Sequence, residues 1–425
     1  MHRLDARDPD FEAAFAGLVE ARREADSDVS RDVAAIIARV RAEGDDAVRD
    51  LTRRFDGHDK DWRIAPEDAQ AALDTLDPDL RAALQLAADR IRAYHERQRP
   101  ADSDWTDDTG TRIGARWRAV GAAGVYVPGG RAAYPSSVLM NLIPAKVAGV
   151  ERLVMVTPTP GGEANPLVLA AAALAGADEI WRIGGAQAVA ALAFGTETIR
   201  PVDVVTGPGN AWVAEAKRQL YGVVGIDMVA GPSEIVVVAD AANDPAWIAA
   251  DLLSQAEHDP TSQSILFTDD AVFADAVANE VERKLGRLTT QDTARASWET
   301  NGAIILVATL DDTVPLVDRL APEHLELAVA DPEPLFARVR HAGSVFLGRH
   351  TPEAIGDYVG GPNHVLPTGR RARFSSGLSV LDFMKRTSFL ACSEDAVRAI
   401  GPAAAALADA EGLPAHAASV RARLA

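Results

Sequence analysis

The sequence has a single cysteine, Cys392, among its 425 residues. This scarcity excludes an internal disulfide framework and any metal site built from several thiolates, and it is typical of a protein kept in a reducing compartment. The chain also lacks any apolar run near the roughly 20 residues that a membrane-spanning helix needs, and its N-terminus is charged. We therefore expect a cytoplasmic protein that makes no use of a membrane.

Basic residues are also too few to balance the acidic ones. The chain has 43 Lys and Arg against 62 Asp and Glu, a formal net charge of −19. Such a charge opposes binding to nucleic-acid phosphates or to an anionic lipid surface, so small or cationic ligands are the better-matched partners. The length and the 48% hydrophobic content predict a globular protein with two or three domains.

Apolar periodicity predicts an α/β fold made of two parallel-sheet, Rossmann-like lobes. Three- and four-residue spacing predicts helices through the first hundred residues, whereas short β-rich runs alternate with helices from about residue 119. No strand is predicted after Lys385, where an Ala-rich helical tail too small for its own core should contact a partner subunit. The predicted divisions are a helical N-terminal region on the first lobe (1–118), a nucleotide-side lobe (119–233), a metal and substrate lobe (234–384) and the tail (385–425).

Four glycine-rich turns fall between predicted strands and helices. They cover residues 126–130, 184–187, 207–210 and 231–234. Ligands of open parallel sheets bind beyond the carboxyl ends of the strands, and glycine turns that open helices can cradle a phosphate through backbone N–H groups. Each turn alone could simply be a tight turn, and the run at 207–212 lacks the third glycine of the dinucleotide fingerprint. Four such turns in one lobe favour a nucleotide as the ligand.

The stretch 243–260 predicts a helix with a possible metal site at its end. Asp244 and Pro245 are typical of a helix start, and Pro260 is typical of a stop. Gln255 and His258 are three residues apart, so both side chains leave one face and could hold one ion. The alternative is a solvated last turn in which His258 complements the helix dipole.

Three later segments concentrate polar chemistry. Glu323 and His324 place a carboxylate beside an imidazole, the groups best suited to proton transfer near neutral pH. Adjacent strand residues point to opposite faces, so the pair needs irregular backbone to serve one site. A glycine-rich loop at 356–364 carries an Asp and a His, and the polar tail carries Glu411 and His416. Each of these residues taken singly is more often structural.

Taken in order, these segments closely resemble the histidinol dehydrogenase family. The resemblance covers about residues 121–416 and rests on VPGG, GGAQA, TGPGN, AGPSE, SQAEHD, APEHLEL, GDYVGGPNHVLP and SGLSVLDFMKR. It implies an oxidoreductase acting on a CH–OH group, which converts L-histidinol through L-histidinaldehyde to L-histidine in the last steps of histidine biosynthesis. It also implies two NAD per turnover, one Zn2+ per subunit and a homodimer.

The resemblance further implies a metal and substrate site. The residues that resemble the zinc ligands are Gln255, His258 and Asp357, with His416 given by the tail of the other subunit. The residues that resemble the acid–base pair are Glu323 and His324. The residues that resemble substrate contacts are Ser233, His364 and Glu411, together with His324 and the four zinc ligands.

The same resemblance implies a nucleotide site and a division of catalytic roles. Tyr126, Gln187 and Asn210 resemble NAD contacts, whereas the neighbouring Phe194 and Trp212 are expected to pack. Oxidising an alcohol to an acid removes two hydrides, with a water added to the aldehyde between them. We assign the imidazole as base for the hydroxyl in both oxidations and the adjacent carboxylate as the group that activates water.

Two alternatives remain open from the residues. A zinc hydrolase of a small amino or imidazole compound could use the same His, Gln, Asp and Glu set with metal-bound water, and it would need no nucleotide. A non-catalytic binding protein stabilised by zinc would keep the ligands without needing the acid–base pair.

Overall fold

The computed structural model describes residues 1–20, 29–129, 134–229 and 231–425. The predicted continuation of the first helix to Ala25, Gly130 of the first glycine turn and Ala230 of the AGPSE segment lie outside the described residues. In the described part of the chain, two parallel six-stranded sheets carry helices on both faces, and a small antiparallel sheet joins them. The predicted two-lobed α/β class is confirmed.

The strands, numbered in chain order, are β1 (His2–Asp5), β2 (Arg63–Ile64), β3 (Ser103–Thr106), β4 (Arg112–Ala119), β5 (Ala122–Tyr126), β6 (Arg152–Val156), β7 (Glu179–Trp181), β8 (Val204–Thr206), β9 (Gly225–Ile226), β10 (Glu234–Ala239), β11 (Gln263–Thr268), β12 (Ala303–Leu306), β13 (His324–Ala328), β14 (Ser344–Leu347) and β15 (Met384–Ala391).

The α-helices are α1 (Phe11–Glu20), α2 (Ser30–Glu43), α3 (Asp45–Asp56), α4 (Pro66–Asp74), α5 (Pro78–Glu96), α6 (Pro135–Ala148), α7 (Pro166–Ala175), α8 (Gly185–Phe194), α9 (Ala211–Leu220), α10 (Pro245–Ala256), α11 (Ala271–Leu285), α12 (Gln291–Asn301), α13 (Thr313–Leu320), α14 (Glu333–Phe336), α15 (Glu353–Tyr358), α16 (Glu394–Ala410) and α17 (Pro414–Arg421). Short 3-10 turns occupy Pro160–Gly162, Leu310–Asp312, Arg371–Arg373 and Val380–Phe383. Within the described ranges, no helix combines the length and the apolar character that crossing a membrane requires.

The first lobe has the strand order β2-β7-β6-β5-β8-β9, in which β2 alone runs antiparallel to its neighbour. One face is covered by α2, α3, α8 and α9 and the other by α4 to α7. The chain runs outward from β5 to β6 and β7, and then returns to place β8 on the other side of β5. This switch point lies between two of the predicted glycine turns, where open α/β sheets bind ligands.

The second lobe has the strand order β1-β12-β11-β10-β13-β14, with every pair parallel. Alternate residues of β10 point into two separate cores, Ile235 and Val237 into one and Val236 and Val238 into the other. A parallel strand covered on both faces is apolar throughout, which is why the run EIVVVA was a strong strand signal. The strands predicted in both lobes are confirmed.

The third sheet has the order β15-β4-β3 and is antiparallel. The prediction that no strand follows Lys385 is therefore wrong, since Met384–Ala391 pairs along its full length with Arg112–Ala119. The expectation of a purely helical N-terminal region is also wrong: residues 103–119 form a hairpin, and His2–Asp5 is an edge strand of the second lobe. The sequences of these strands have little apolar character. They are strands because they pair with segments that are distant in the sequence.

The polar motifs of the two lobes lie at opposite edges of their sheets. The turns that begin at 127, 184 and 207 follow β5, β7 and β8 and lie at a carboxyl edge. The turn at 231–234 instead leads into β10, and Glu323 and His324 lie where β13 begins. The expectation that all four glycine turns lie beyond carboxyl ends is therefore wrong for the turn at 231–234. The polar groups of the second lobe gather at its amino edge.

Candidate active site

The polar residues predicted for the second lobe converge at the amino edge of its sheet. Gln255 lies in the last turn of α10, and His258 lies in the turn that follows, its backbone N–H donating to the Gln255 carbonyl at 3.3 Å. Asp357 belongs to α15, and its Oδ1 lies 3.9 Å from Nδ1 of His364. The charge of His258 affects the pKa of Asp357, His324 and His364, so this exposed imidazole faces the same group of residues.

Backbone irregularity brings Glu323 and His324 to one site. Ala321, just before them, has a positive φ of 45°, a conformation that residues other than glycine seldom adopt. Both side chains then bind the backbone of Glu234: its N–H donates to Glu323 Oε2 at 2.9 Å, and His324 Nδ1 lies 3.0 Å from its carbonyl oxygen. The carboxylate and the imidazole are consequently side by side, with Nδ1 and Oε2 3.8 Å apart.

The same contact fixes the tautomer of His324. A carbonyl oxygen only accepts hydrogen bonds, so Nδ1 carries the proton and donates it to Glu234. Burial lowers the pKa of His324 below its ordinary value, which favours the neutral ring. Its Nε2 is buried without a hydrogen-bond partner among the described residues. It lies 3.6 Å from Glu353 Oε1 and 3.9 Å from Asp357 Oδ1. The free lone pair is therefore directed at the carboxylates of the site.

Glu353 is a member of the site that the sequence interpretation missed. It lies four residues before Asp357 on α15 and is 2% exposed. The spacing of four could have revealed it, because side chains four apart share one helix face. Burial raises its pKa to about 7, and burial likewise raises the pKa of Asp357 and places that of Glu323 well above the ordinary value. The charge of Glu353 further raises the pKa of Asp357, and the charges of Glu234, Asp357 and Glu353 further raise that of Glu323.

The buried amide of Gln255 lies between a carboxylate and a backbone N–H. One end of the amide is 3.3 Å from Glu353 Oε1 and the other is 3.2 Å from Glu234 N. With nitrogen toward Glu353, both ends make hydrogen bonds without any ion. With oxygen toward Glu353, the amide and the carboxyl group present two oxygens to each other, an arrangement that is favourable with a cation near both oxygens or with a proton on Glu353.

The donor set therefore fits a divalent metal. One ligand atom from each of His324, Glu353 and Asp357 lies within 4.8 Å of the others. No ion pair between described residues gives Glu323, Glu353 or Asp357 a Lys or Arg partner. Buried carboxylates without a counter-charge are costly, and imidazole, carboxylate and amide groups are ligands suited to a borderline cation such as Zn2+.

A cavity of about 260 Å³ opens beside these residues. His324, Asp357 and His364 contribute to its wall, and Arg90 of α5 closes it from the side of the first lobe. Arg90 also donates to the carbonyl of Gly360 at 3.0 Å. The α5 helix therefore supports the loop that carries His364. The cavity places His324 beside a space large enough for part of a small polar molecule.

The residues predicted to contact a nucleotide lie at the carboxyl edge of the first lobe. The Tyr126 hydroxyl accepts a hydrogen bond from Gly185 N at 3.0 Å, and burial raises its pKa to about 12. Gln187 is buried in the first turn of α8, and exposed Asn210 caps α9 by accepting from the N–H groups of Trp212 and Val213.

This edge fits an anionic ligand. The first turns of α8 and α9 carry no acidic residue, and no side chain caps α8. Helix N-termini present free N–H groups and the positive end of the helix dipole, which favours phosphate. Phe194 and Trp212 pack against the apolar core as expected.

Glu411 and His416 remain apart from these groups within one chain. Glu411 follows α16 and His416 belongs to α17, and both are exposed. None of the hydrogen bonds and ion pairs described above involves either residue. The structure of a single chain thus brings together the second-lobe residues Gln255, His258, Glu323, His324, Asp357 and His364, and it leaves the tail residues outside.

Comparisons with known proteins agree with this arrangement. A family model described as histidinol dehydrogenase matches residues 19–424. A histidinol dehydrogenase of Zymomonas mobilis is 67% identical over 425 residues, covering 99% of each chain. One from Ruegeria pomeroyi is 63% identical over 424 residues, covering 99% of this chain and 98% of the relative. The crystal structure of histidinol dehydrogenase from Elizabethkingia anophelis matches with a TM-score of 0.95 at 35% identity, covering 100% of this chain and 98% of that chain.

Proposed function

This chain belongs to the histidinol dehydrogenase family and is an NAD-dependent oxidoreductase, and on that premise we propose how its residues divide the work. L-Histidinol is oxidised through L-histidinaldehyde to L-histidine at the amino edge of the second lobe, with two NAD per turnover and one Zn2+ per subunit. Family membership favours this reaction over the zinc hydrolase and the zinc-stabilised binding protein. The cytoplasmic location stays a prediction.

The observation that carries the proposal is the fixed tautomer of His324. Its Nδ1–H donates to the Glu234 carbonyl, and its buried Nε2 has no partner among the described residues. A neutral imidazole with a free lone pair is the form that a general base needs. We propose that His324 Nε2 accepts the proton of the substrate hydroxyl in the first oxidation. In the second oxidation it accepts the proton of the aldehyde hydrate.

Glu323 is assigned to the hydration step between the two oxidations. Its Oε2 is held by Glu234 N, and burial raises its pKa well above the ordinary carboxyl value. A carboxylate of raised basicity takes a proton from water more readily than an ordinary one does. We propose that the two bases serve the same reacting carbon, and the closeness of the side chains, with Oε2 3.8 Å from His324 Nδ1, supports this.

The metal ligands are proposed to be Gln255, His258 and Asp357, with the partner subunit's His416 as the fourth. When bound, Zn2+ would clamp the imidazole and amine of the substrate, so that the aldehyde stays in place while NADH leaves. Ser233, His364 and Glu411 are proposed to position the same end of the substrate. Glu353 contacts the amide of Gln255 and hydrogen-bonds to Ser254, which suits it to orient that ligand.

NAD is proposed to bind at the carboxyl edge of the first lobe. Tyr126, Gln187 and Asn210 all lie at the turns that open α8 and α9. The Tyr126 hydroxyl orders the 184–187 turn, and Asn210 orders the start of α9. The two helix N-termini then supply the positive partial charge that suits a pyrophosphate.

We propose a homodimer in which each tail completes the other subunit's site. In α16 only Ala396, Gly401 and Ala405 are buried, whereas Leu390 and Leu407 are each 66% exposed. Apolar side chains left exposed along a strand and the following helix are typical of an interface. An exchanged tail would cover them and deliver Glu411 and His416.

The stoichiometry of NADH tests the proposal. Purified protein with Zn2+, NAD and limiting L-histidinol should form two NADH for each L-histidine, with little free aldehyde, as followed by NADH absorbance and chromatography. His324→Ala serves as the matched control for NADH formed without this base. One NADH per substrate, or ready trapping of aldehyde by an external amine, would contradict the two-step reaction at one site.

A further inference from the structure

The first lobe contains a buried ion pair that none of the predicted roles uses. Lys217 of α9 and Asp227, just after β9, contact each other with side chains only 3% and 1% exposed. Lys217 Nζ also donates to the carbonyl of Gly207 at 2.9 Å, and Asp227 Oδ2 accepts from Gly207 N at 2.8 Å. The opposite charges thus hold both backbone polar groups of one glycine.

Gly207 is under two independent constraints. Its φ is +108°, a conformation open to glycine and strained for other residues. A Cβ at this position would lie 2.1 Å from the carbonyl oxygen of Tyr126. The residue therefore fits closely against the end of β5, and its peptide orientation is set by hydrogen bonds to two charged groups, which are stronger than neutral ones.

The glycine held in this way begins the turn at 207–210 between β8 and α9. The turn lies at the switch point of the sheet and ends at Asn210, which caps α9. The ion pair consequently ties three segments together: the turn, the body of α9 and the strand end after β9. Its geometry determines where the Asn210 side chain and the N-terminus of α9 lie.

We propose that Lys217 and Asp227 are positioning residues for NAD, which act through Gly207 and never touch the cofactor. This inference rests on the proposed nucleotide site of the first lobe. It concerns the order of the turn rather than the stability of the lobe. Replacing a buried ion pair by apolar side chains of similar volume is often neutral or stabilising, whereas removing one partner is strongly destabilising. The specific contribution of the pair is its two directional hydrogen bonds to Gly207.

The test uses the double variant Lys217→Met/Asp227→Leu in the full-length protein. It should fold with a Tm below that of wild type, because the buried N–H and C=O of Gly207 lose their partners, whereas Lys217→Met alone should be less stable still because Asp227 keeps an uncompensated charge. The double variant should bind NADH about tenfold or more weakly and raise KM for NAD to the same degree, since binding must then order a turn that the ion pair orders in wild type. KM for L-histidinol should not change.

Amide hydrogen exchange without nucleotide gives a second readout that needs neither NAD nor activity. Exchange over residues 205–213 should be faster in the double variant than in wild type, because the turn loses both of its charged anchors. The control is Arg152→Leu/Glu179→Leu, which removes a half-buried ion pair at the opposite, amino edge of the same sheet, with side chains 14% and 13% exposed. This control should leave NADH affinity and exchange over 205–213 unchanged.

The outcomes separate this inference from the proposed function. A double variant with wild-type NADH affinity and wild-type exchange would overturn the positioning role. Wild-type protein that fails to reduce NAD with L-histidinol would overturn the proposed function, while the exchange experiment would still decide whether the pair orders the turn. Should the double variant not fold, Lys217→Leu/Asp227→Met, which also removes both charges and both hydrogen bonds to Gly207, takes its place, and an unchanged KM for NAD in that variant overturns the inference.

Discussion

In the first lobe the functional turns follow the strands, whereas in the second lobe the functional residues precede them. The turn at 207–210 follows β8, while Glu323 and His324 stand at the start of β13. In a parallel α/β sheet the helices begin at the carboxyl edge and end at the amino edge. One lobe therefore presents helix N-termini to its ligand, and the other presents helix C-termini.

This difference in edges explains the difference in chemistry. Helix N-termini carry positive partial charge and favour phosphates, whereas C-termini carry negative partial charge and favour cations. The starts of α8 and α9 are free of acidic residues, while Gln255 and His258 lie at the end of α10 and Asp357 lies in the last turn of α15. Under the proposed function, two similar sheets thus bind an anion and a cation according to the edge that each one uses.

The largest effect is expected from removing the base of the second lobe. His324→Ala should lower the rates of both oxidations by about 10²–10⁴-fold, the usual contribution of a general base. NADH affinity should stay at the wild-type value, because the hydrogen bond, ion pairs and ring contact that the side chain makes among the described residues are all with second-lobe residues. Single-turnover rates for L-histidinol and L-histidinaldehyde, with fluorescence titration of NADH, measure both quantities. A loss of NADH affinity in this variant would contradict the assignment of the base and the nucleotide to separate lobes.

Glu323→Gln should slow the oxidation of the aldehyde but not its reduction. The variant should still reduce supplied L-histidinaldehyde with NADH, while oxidation of that aldehyde falls by about 10²–10⁴-fold because water is no longer activated. Rates of the separate half-reactions provide the measurement. Equal losses in every half-reaction for this variant and His324→Ala would show that the two roles cannot be separated.

A mixing experiment asks whether the cation site is complete within one chain. His258→Ala and His416→Ala, each inactive alone, are refolded together or co-expressed. Random pairing makes about half of the molecules heterodimers, and each heterodimer has one intact site, so activity should recover to about a quarter of wild type. If His416 acts within its own chain, every site carries one defect. An inactive mixture that contains heterodimers, as shown by mass, would contradict tail exchange.

The smallest effect is expected on the pH dependence of stability, through a buried carboxyl group next to the site. Glu326 follows His324 on β13, and burial together with Asp251 raises its pKa from 4.5 to about 9. The folded protein keeps this proton longer than the unfolded chain does, so the stability it contributes is full below about pH 4.5 and is lost as the pH rises toward 9. Glu326→Gln should therefore show a shallower fall of Tm between those pH values than wild type, whereas exposed Glu67→Gln should follow wild type. Parallel curves for Glu326→Gln and wild type would contradict the shift.

Much of the fold could be predicted from local sequence. The centres of runs such as EIVVVA and SILFTD are apolar on both faces because both faces of their sheet are covered. The strand Met384–Ala391 could not be predicted in this way, since it is mostly exposed and only its pairing with Arg112–Ala119 makes it a strand. The hairpin at 103–119 did carry a signal in its Asp-Asp-Thr-Gly turn, where Asp107 Oδ1 accepts from the N–H groups of Thr109 and Thr111.

The site was only partly accessible from sequence. Motifs identified His324 and Asp357, but their meeting at an amino edge depends on the fold, in which His324 begins β13 and Asp357 lies in the last turn of α15. Glu353 was missed although its spacing from Asp357 marks one helix face, because burial and the contact with Gln255 appear only in the folded chain. The roles of Lys217 and Asp227 likewise depend on a glycine ten and twenty residues away.

The most direct test of the division between the two edges is calorimetric titration of NAD into His258→Ala, with zinc content measured on the same sample. If the lobes bind their ligands independently, the variant should lose its zinc while its Kd for NAD stays within about twofold of wild type, since effects at sites that share no partner residues combine nearly additively. Loss of NAD binding together with the zinc would contradict the account and place both ligands in a single interdependent site.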